Sequence, residues 1–241
     1  MPVKWYDGTV IRIEDQTPTT KRFWVEIPEV DTFDFKAGQF VTMDLPVHEK
    51  RLHRWRSYSI ANAPEGGNVL EFCIVLLEGG LATRYFFEEV KVGTHLRFKG
   101  PDGTFTLPEN LDREMILVCT GTGIAPFRSM LLDLRNRKLP FNSIHLIFGT
   151  RYRDGILYRE EFEAFKKEWP NFKYDIALSR DSDWAGYKGY VHQIYQEKYA
   201  EPDPNRHFFL CGWSNMIDDA VANLIVRMGY DKSQIHYELY G

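Results

Sequence analysis

The chain has 241 residues, long enough for two domains of ordinary size, and its 44% hydrophobic and 27% charged residues exclude a disordered or fibrous protein. A formal charge of -4 gives no general attraction to nucleic acid or to anionic lipid. There is no stretch of about 18 apolar residues to span a bilayer and no apolar core of a signal peptide at the start, so the expectation is a cytoplasmic protein without membrane or nucleic-acid partners.

The first hundred residues alternate apolar and polar side chains in short runs at 8–15, 20–27, 39–45, 55–61, 68–77 and 94–100, broken by turn residues. Six such strands predict a small antiparallel barrel. One helical segment, 81–90, interrupts them directly after Gly79-Gly80. Ahead of the fourth strand, residues 48–56 gather Lys50, Arg51, Arg54 and Arg56 with two histidines. This run suits a solvated loop or a binding patch.

From Glu114 the rhythm changes to apolar strands alternating with amphipathic helices, ending in the strand 235–240. That alternation predicts a doubly wound parallel sheet, whose ligands lie at the carboxyl ends of its strands. The expected division is 1–109 for the barrel and 110–241 for the α/β domain. Cys73, Cys119 and Cys211 are far apart in apolar surroundings, which predicts buried thiols in a reducing compartment and no metal site.

Five short segments carry candidate chemistry. In Arg56-Ser57-Tyr58-Ser59, a guanidinium suits a phosphate, a phenol ring suits stacking, and a hydroxyl suits the edge of a planar ring; an ordinary strand has the same composition. Gly79-Gly80-Leu81-Ala82-Thr83 fits a phosphate cradle or a capping turn. Thr120-Gly121-Thr122-Gly123 joins a strand to a helix with Pro126 in its first turn; glycines here admit a pyrophosphate or merely tighten the turn. Cys211-Gly212, with Met216 beyond, lies at a strand's carboxyl end, where a cysteine serves a ligand or fills the core. The chain closes on Glu238-Leu239-Tyr240-Gly241.

Taken in order, Arg-x-Tyr-Ser, Gly-Gly-x-x-Thr, Gly-Thr-Gly-Ile-Ala-Pro, Cys-Gly-x-x-x-Met and the terminal Glu-x-Tyr resemble the ferredoxin–NADP reductase family over nearly the whole chain. The resemblance implies an FAD-binding barrel followed by a nicotinamide-dinucleotide domain, with the flavin bound between them. It implies that Arg56, Ser57 and the Gly79 to Thr83 turn hold FAD, that Tyr58 stacks on the flavin, and that Ser59 approaches N5. Tyr240 would cover the opposite face and move aside for nicotinamide. Thr120 to Gly123 would cradle the nicotinamide cofactor's phosphates, with Cys211, Gly212 and Met216 beside the nicotinamide ring and Glu238 assisting a proton relay or shaping the site. Ser179-Arg180 with Lys188 and Tyr190 resemble the set that receives the 2′-phosphate, which favours NADP over NAD. Gly241, one residue past the tyrosine, departs from the plant-type pattern.

The implied activity is an NAD(P)H-dependent reductase, a monomer serving a separate one-electron carrier such as ferredoxin or flavodoxin. Alternatives are the reductase component of an oxygenase, a reductase of free flavins, or a flavin-containing electron-transfer or regulatory subunit with little activity alone.

Overall fold

The computed structural model describes residues 4–240, the side chain of Tyr240 excepted. The described residues form two compact units, one of residues 4–107 with 125–138, the other of residues 108–124 with 139–240.

The first unit holds a six-stranded antiparallel sheet: β1 (Trp5–Thr17), β2 (Thr20–Glu26), β3 (Phe40–Asp44), β4 (Trp55–Ser59), β5 (Val69–Val75) and β6 (His95–Asp102), in the order β4-β3-β6-β1-β2-β5. Its two edges are joined just past β4, where the Ala61 amide donates to Glu71 O at 2.8 Å. The Asn62 side chain extends that junction, accepting from the Glu71 amide at 2.8 Å and donating to Val69 O at 3.0 Å. Inside lie Phe23, Phe72 and Phe98, and Phe86 of α2 (Leu81–Glu88) plugs the interior edge-on against Phe23 at 5.1 Å. Between β3 and β4 the basic run forms the one-turn helix α1 (Arg51–Arg54).

The helix α3 (Ile124–Arg137) groups with this barrel. A buried ion triad fastens it: the carboxylate of Glu71, 3% exposed, accepts from Arg128 Nη1 at 2.9 Å and from Arg22 Nε at 2.6 Å. Arg128 Nη1 also reaches Ala61 O at 2.8 Å, and Ser129 Oγ donates to Asn62 O at 2.6 Å. By contact α3 groups with the barrel, although in the chain it follows residue 110, where the sequence division falls.

The second unit is a parallel sheet of β7 (Glu114–Thr120), β8 (Ser143–Thr150), β9 (Phe172–Leu178), β10 (Tyr187–Lys188), β11 (Arg206–Trp213) and β12 (Ile235–Tyr240). The order is β10-β9-β8-β7-β11-β12, so the direction of strand addition reverses between β7 and β11. Near-continuous apolar runs such as Met115 to Cys119 are what a sheet buried on both faces requires. One face packs Ile116, Val118, Phe208 and Leu210 on Ile194 of α5 (Val191–Lys198) and Ile217 of α6 (Ser214–Ala222). On the other, Tyr174 meets Phe162 of α4 (Arg159–Glu168) at 5.5 Å. The predicted barrel and doubly wound sheet are therefore both present; the two-residue β10 was not anticipated.

Candidate functional site

In the first unit, β4 lies at one edge of the sheet and pairs with β3, setting Tyr58 opposite Val41 and Arg56 opposite Met43. Directly opposed residues share a face. Val41 and Met43 are wholly buried, so Arg56 and Tyr58 lie on the inner side, while Ser57 lies beside Thr42 on the outer side with hydroxyls 3.2 Å apart. Tyr58 packs its ring against the edge of Phe86 at 5.4 Å, and burial pushes its phenol well above the ordinary range, so it stays a neutral aromatic surface. Arg56 is half-buried and donates from Nη1 to Trp55 O at 2.7 Å, which sets the stem of the guanidinium. Ser59 is buried.

The turn before α2 is built around its two glycines. Gly79 takes φ +73°, and a Cβ on Gly80 would come within 2.7 Å of Thr83 Oγ1. The Thr83 hydroxyl accepts from the Leu77 amide at 3.1 Å and donates to Gly80 O at 3.1 Å, so it shapes the turn from within. Among the described residues no side-chain hydrogen bond caps α2 at Gly80, so its start keeps the electropositive character of a helix N-terminus. A fixed guanidinium, a half-buried aromatic ring and an uncapped glycine turn fit a flavin dinucleotide.

In the second unit the chemistry gathers where the strand order reverses. The turn Gly121–Gly123 leaves β7 so close to β11 that a Cβ on Gly123 would lie 2.3 Å from Cys211 O. From the other side, Gly212 has φ +147° and its Cβ would meet Thr120 Oγ1 at 2.5 Å. These two glycines interlock the strand ends. Thr120 Oγ1 is buried without a partner among the described residues, a polar atom that calls for an incoming group. Cys119, Cys211 and Glu238 stand in register on β7, β11 and β12. Cys211 is wholly buried, and the neighbouring Cys119 thiol is held well above its usual range by burial, then by Cys211. Met216, in the first turn of α6, packs toward Gly212 and is 8% exposed.

Ser179, Arg180, Lys188 and Tyr190 lie at the far edge of the same sheet. The Ser179 and Arg180 amides donate to Thr150 O and Arg151 O at 3.0 and 2.9 Å, continuing the β8–β9 ladder past its strands. Lys188 pairs with Leu178, and the Gly189 amide donates to Leu178 O at 2.8 Å. Arg151, Arg180, Lys188 and Tyr190 are exposed there. With strands about 4.8 Å apart, β9 and β11 stand roughly 14 Å from each other across β8 and β7, a span suited to an extended dinucleotide. Residues 120–123 occupy its middle.

Two further residues that no motif covers, Arg151 and Arg153, follow the apolar run of β8 on this rim, together with Asp181 beside Arg180 and with Trp213 of the Cys211–Met216 segment, 49% exposed with Nε1 3.9 Å from where a Gly121 Cβ would be. The backbone of Tyr240 ends β12 opposite Trp213, whereas its side chain, and Gly241, lie outside the described residues. In the basic run, Arg54 pairs with Asp44 at 2.8 Å and Arg51 covers Trp55 at 4.1 Å, leaving Lys50 and Arg51 as its outward cations. The three cysteines are buried, as expected, and among the described residues they form no disulfide and no helix is long and apolar enough to cross a membrane.

A family model described as an oxidoreductase FAD-binding domain matches residues 7–107, and one described as an oxidoreductase NAD-binding domain matches residues 117–222. The chain is 31% identical over 242 residues to ferredoxin–NADP reductase B of Sorangium cellulosum, covering 98% of this chain and 97% of that protein. It is 32% identical over 241 residues to the phenol hydroxylase P5 protein of Acinetobacter pittii, covering 99% of this chain but only 66% of that longer relative. Among solved structures, the Amycolatopsis cytochrome P450 reductase GcoB matches with a TM-score of 0.87 at 26% identity, covering 99% of this chain and 70% of the other.

Proposed function

Because the chain belongs to the ferredoxin–NADP reductase family of FAD- and NAD(P)-binding oxidoreductases, we propose that it moves electrons from NADPH through FAD to a separate one-electron carrier, ferredoxin or flavodoxin, in the cytoplasm. The observation that carries this reading is the convergence of the glycine interlock, the unpartnered Thr120 hydroxyl, Cys211 and Glu238 at the strand-order reversal. Bound FAD supplies the ability to accept a hydride and release its electrons singly.

Hydride transfer requires positioning more than acid–base help. On this reading Arg56 and the amides of the Gly79 to Thr83 turn hold the flavin pyrophosphate, Tyr58 stacks on the ring system, and Ser59 addresses the N5 edge. Thr120 to Gly123 hold the nicotinamide cofactor's pyrophosphate. The buried Cys211, flanked by Gly212 and Met216, presents an apolar surface that excludes water beside the nicotinamide, and Glu238 holds or passes a proton. Arg180, Lys188 and Ser179 offer two cations and a hydroxyl to a 2′-phosphate, which supports NADPH over NADH.

Anaerobic mixing of the FAD-loaded protein with NADPH, and separately NADH, tests this by the loss of flavin absorbance. Rapid bleaching by NADPH is expected, and a protein that neither takes up FAD nor bleaches refutes it. The likeness to the phenol hydroxylase P5 protein supports a second reading, the reductase component of an oxygenase. Charge reversal at Lys50 and Arg51 should raise the KM for an acidic carrier protein and leave dye reduction unchanged; an unaltered KM for ferredoxin and flavodoxin favours the oxygenase role.

A further inference from the structure

Asp181 follows Ser179-Arg180 directly, and Asp183 stands two residues further on. A free carboxylate there would repel a phosphate dianion, and it is also the group that accepts a hydrogen bond from a ribose 2′-hydroxyl. Asp181, however, is fully engaged. Arg153, in the 3-10 turn Arg153–Gly155 after β8, donates from Nε to Oδ2 at 2.7 Å and from Nη2 to Oδ1 at 2.9 Å. The Asp183 amide adds a contact to Oδ1 at 3.2 Å. The Asp181 side chain is 11% exposed, and hydrogen bonding to the Arg153 guanidinium holds its carboxyl at about 2.

Both sides of this pair are anchored. The Arg153 turn closes through the Gly155 amide on Tyr152 O at 3.1 Å, and a Cβ on Gly155 would lie 2.7 Å from Thr150 Oγ1. The Asp181 loop is pinned by Trp184, whose Nε1 donates to Ile176 O at 3.3 Å while Arg159 covers its ring at 5.4 Å. The fork is thus part of the architecture of the rim that presents Arg151, Arg180 and Lys188.

We infer that Arg153 determines the choice between NADPH and NADH by acting through Asp181: it occupies both carboxylate oxygens, and so removes the group that would repel a 2′-phosphate or accept from a 2′-hydroxyl. Arg153 is a positioning residue in this scheme, and the exposed Arg180 and Lys188 make the phosphate contact. The inference rests on the NADPH reading above.

The test compares the FAD-loaded wild type with Arg153→Gln and with Arg153→Gln/Asp181→Asn, using calorimetric titration with 2′,5′-ADP and 5′-AMP alongside kcat and KM for both dinucleotides. Arg153→Gln should weaken 2′,5′-ADP binding and raise the KM for NADPH about tenfold, a like-charge effect across a solvated rim, with kcat preserved and 5′-AMP, whose 2′-hydroxyl the freed carboxylate can accept from, bound at least as tightly as by the wild type. The double variant should recover the wild-type values. An unmoved 2′,5′-ADP affinity in Arg153→Gln overturns the inference alone. So does a loss that Asp181→Asn fails to rescue, because Arg153 then touches the phosphate itself. A wild type that binds 5′-AMP as tightly as 2′,5′-ADP overturns the NADPH reading, and the inference with it.

Discussion

Replacing Glu71 by alanine should destabilise the barrel unit more than any surface change. The carboxylate is 3% exposed and accepts from Arg128 at 2.9 Å and Arg22 at 2.6 Å. The Arg22 side chain is 20% exposed and retains Glu14 at 3.6 Å, so water and a second carboxylate compensate it. The Arg128 side chain is only 7% exposed, so water does not readily replace the lost carboxylate there, while its Nη1 keeps the Ala61 carbonyl as an acceptor. Removing one partner of a buried ion pair costs about 3–5 kcal/mol. At roughly 2–4 °C per kcal/mol for a chain of this size, the melting point should fall by about 10 °C. The accessible assay is thermal unfolding of the FAD-loaded protein, followed by circular dichroism and by the rise in fluorescence of released flavin. Glu71→Gln, which keeps one acceptor oxygen, should lose less. Pairing Glu71→Met with Arg128→Met should recover much of the loss, because no uncompensated charge remains. A loss below about 1 kcal/mol for Glu71→Ala would refute the view that this triad fastens α3 to the barrel.

Gly123→Ala places a methyl 2.3 Å from Cys211 O, a backbone atom that cannot swing away; it should lower kcat/KM for NADPH by about 10- to 100-fold, from roughly 1–3 kcal/mol of overpacking, while FAD content stays normal. Wild-type kinetics in this variant would show that the strand ends separate easily. In acid, His207 is the group to watch. Its Nδ1 faces Arg113 Nη1 at 3.4 Å and His236 Nε2 at 3.1 Å, and burial, then Arg113 and His236, lower its pKa from 6.5 to about 4. A lowered imidazole pKa means that the unfolded chain binds the proton first, so this contribution is complete above pH 6.5 and is lost progressively as pH falls toward 4. Urea midpoints measured from pH 7.5 to 4.5 should decline, with a shallower slope in His207→Gln; identical slopes would exclude His207 as the cause.

Much of the fold was legible because burial imposes period. Alternation along the barrel strands and the apolar runs of β7, β8 and β11 follow from facing one core or two. The site was legible only as an ordered set: Arg56 to Ser59 is an ordinary strand by composition, and Thr120 to Gly123 an ordinary tight turn. What the sequence hides is long-range pairing. Glu71 lies 49 residues from Arg22 and 57 from Arg128, and no local rule joins them. In the same way Asp181 looks like an obstacle to phosphate until Arg153, 28 residues earlier, is found holding it. Thr83 shows the reverse case, since a hydroxyl at a helix start invites assignment to a ligand, but its hydrogen bonds are internal to the turn.

Asn62 gives the barrel a property beyond closure. The Ala61 amide and the Asn62 amide group occupy backbone positions on β5 that an added strand would need, namely Glu71 N and O and Val69 O. A sheet edge with its ladder groups already bonded offers no template to another chain. Asn62 thereby denies part of the β5 edge to an added strand, and Asn62→Ala is expected to lower the protein's solubility limit, read by light scattering.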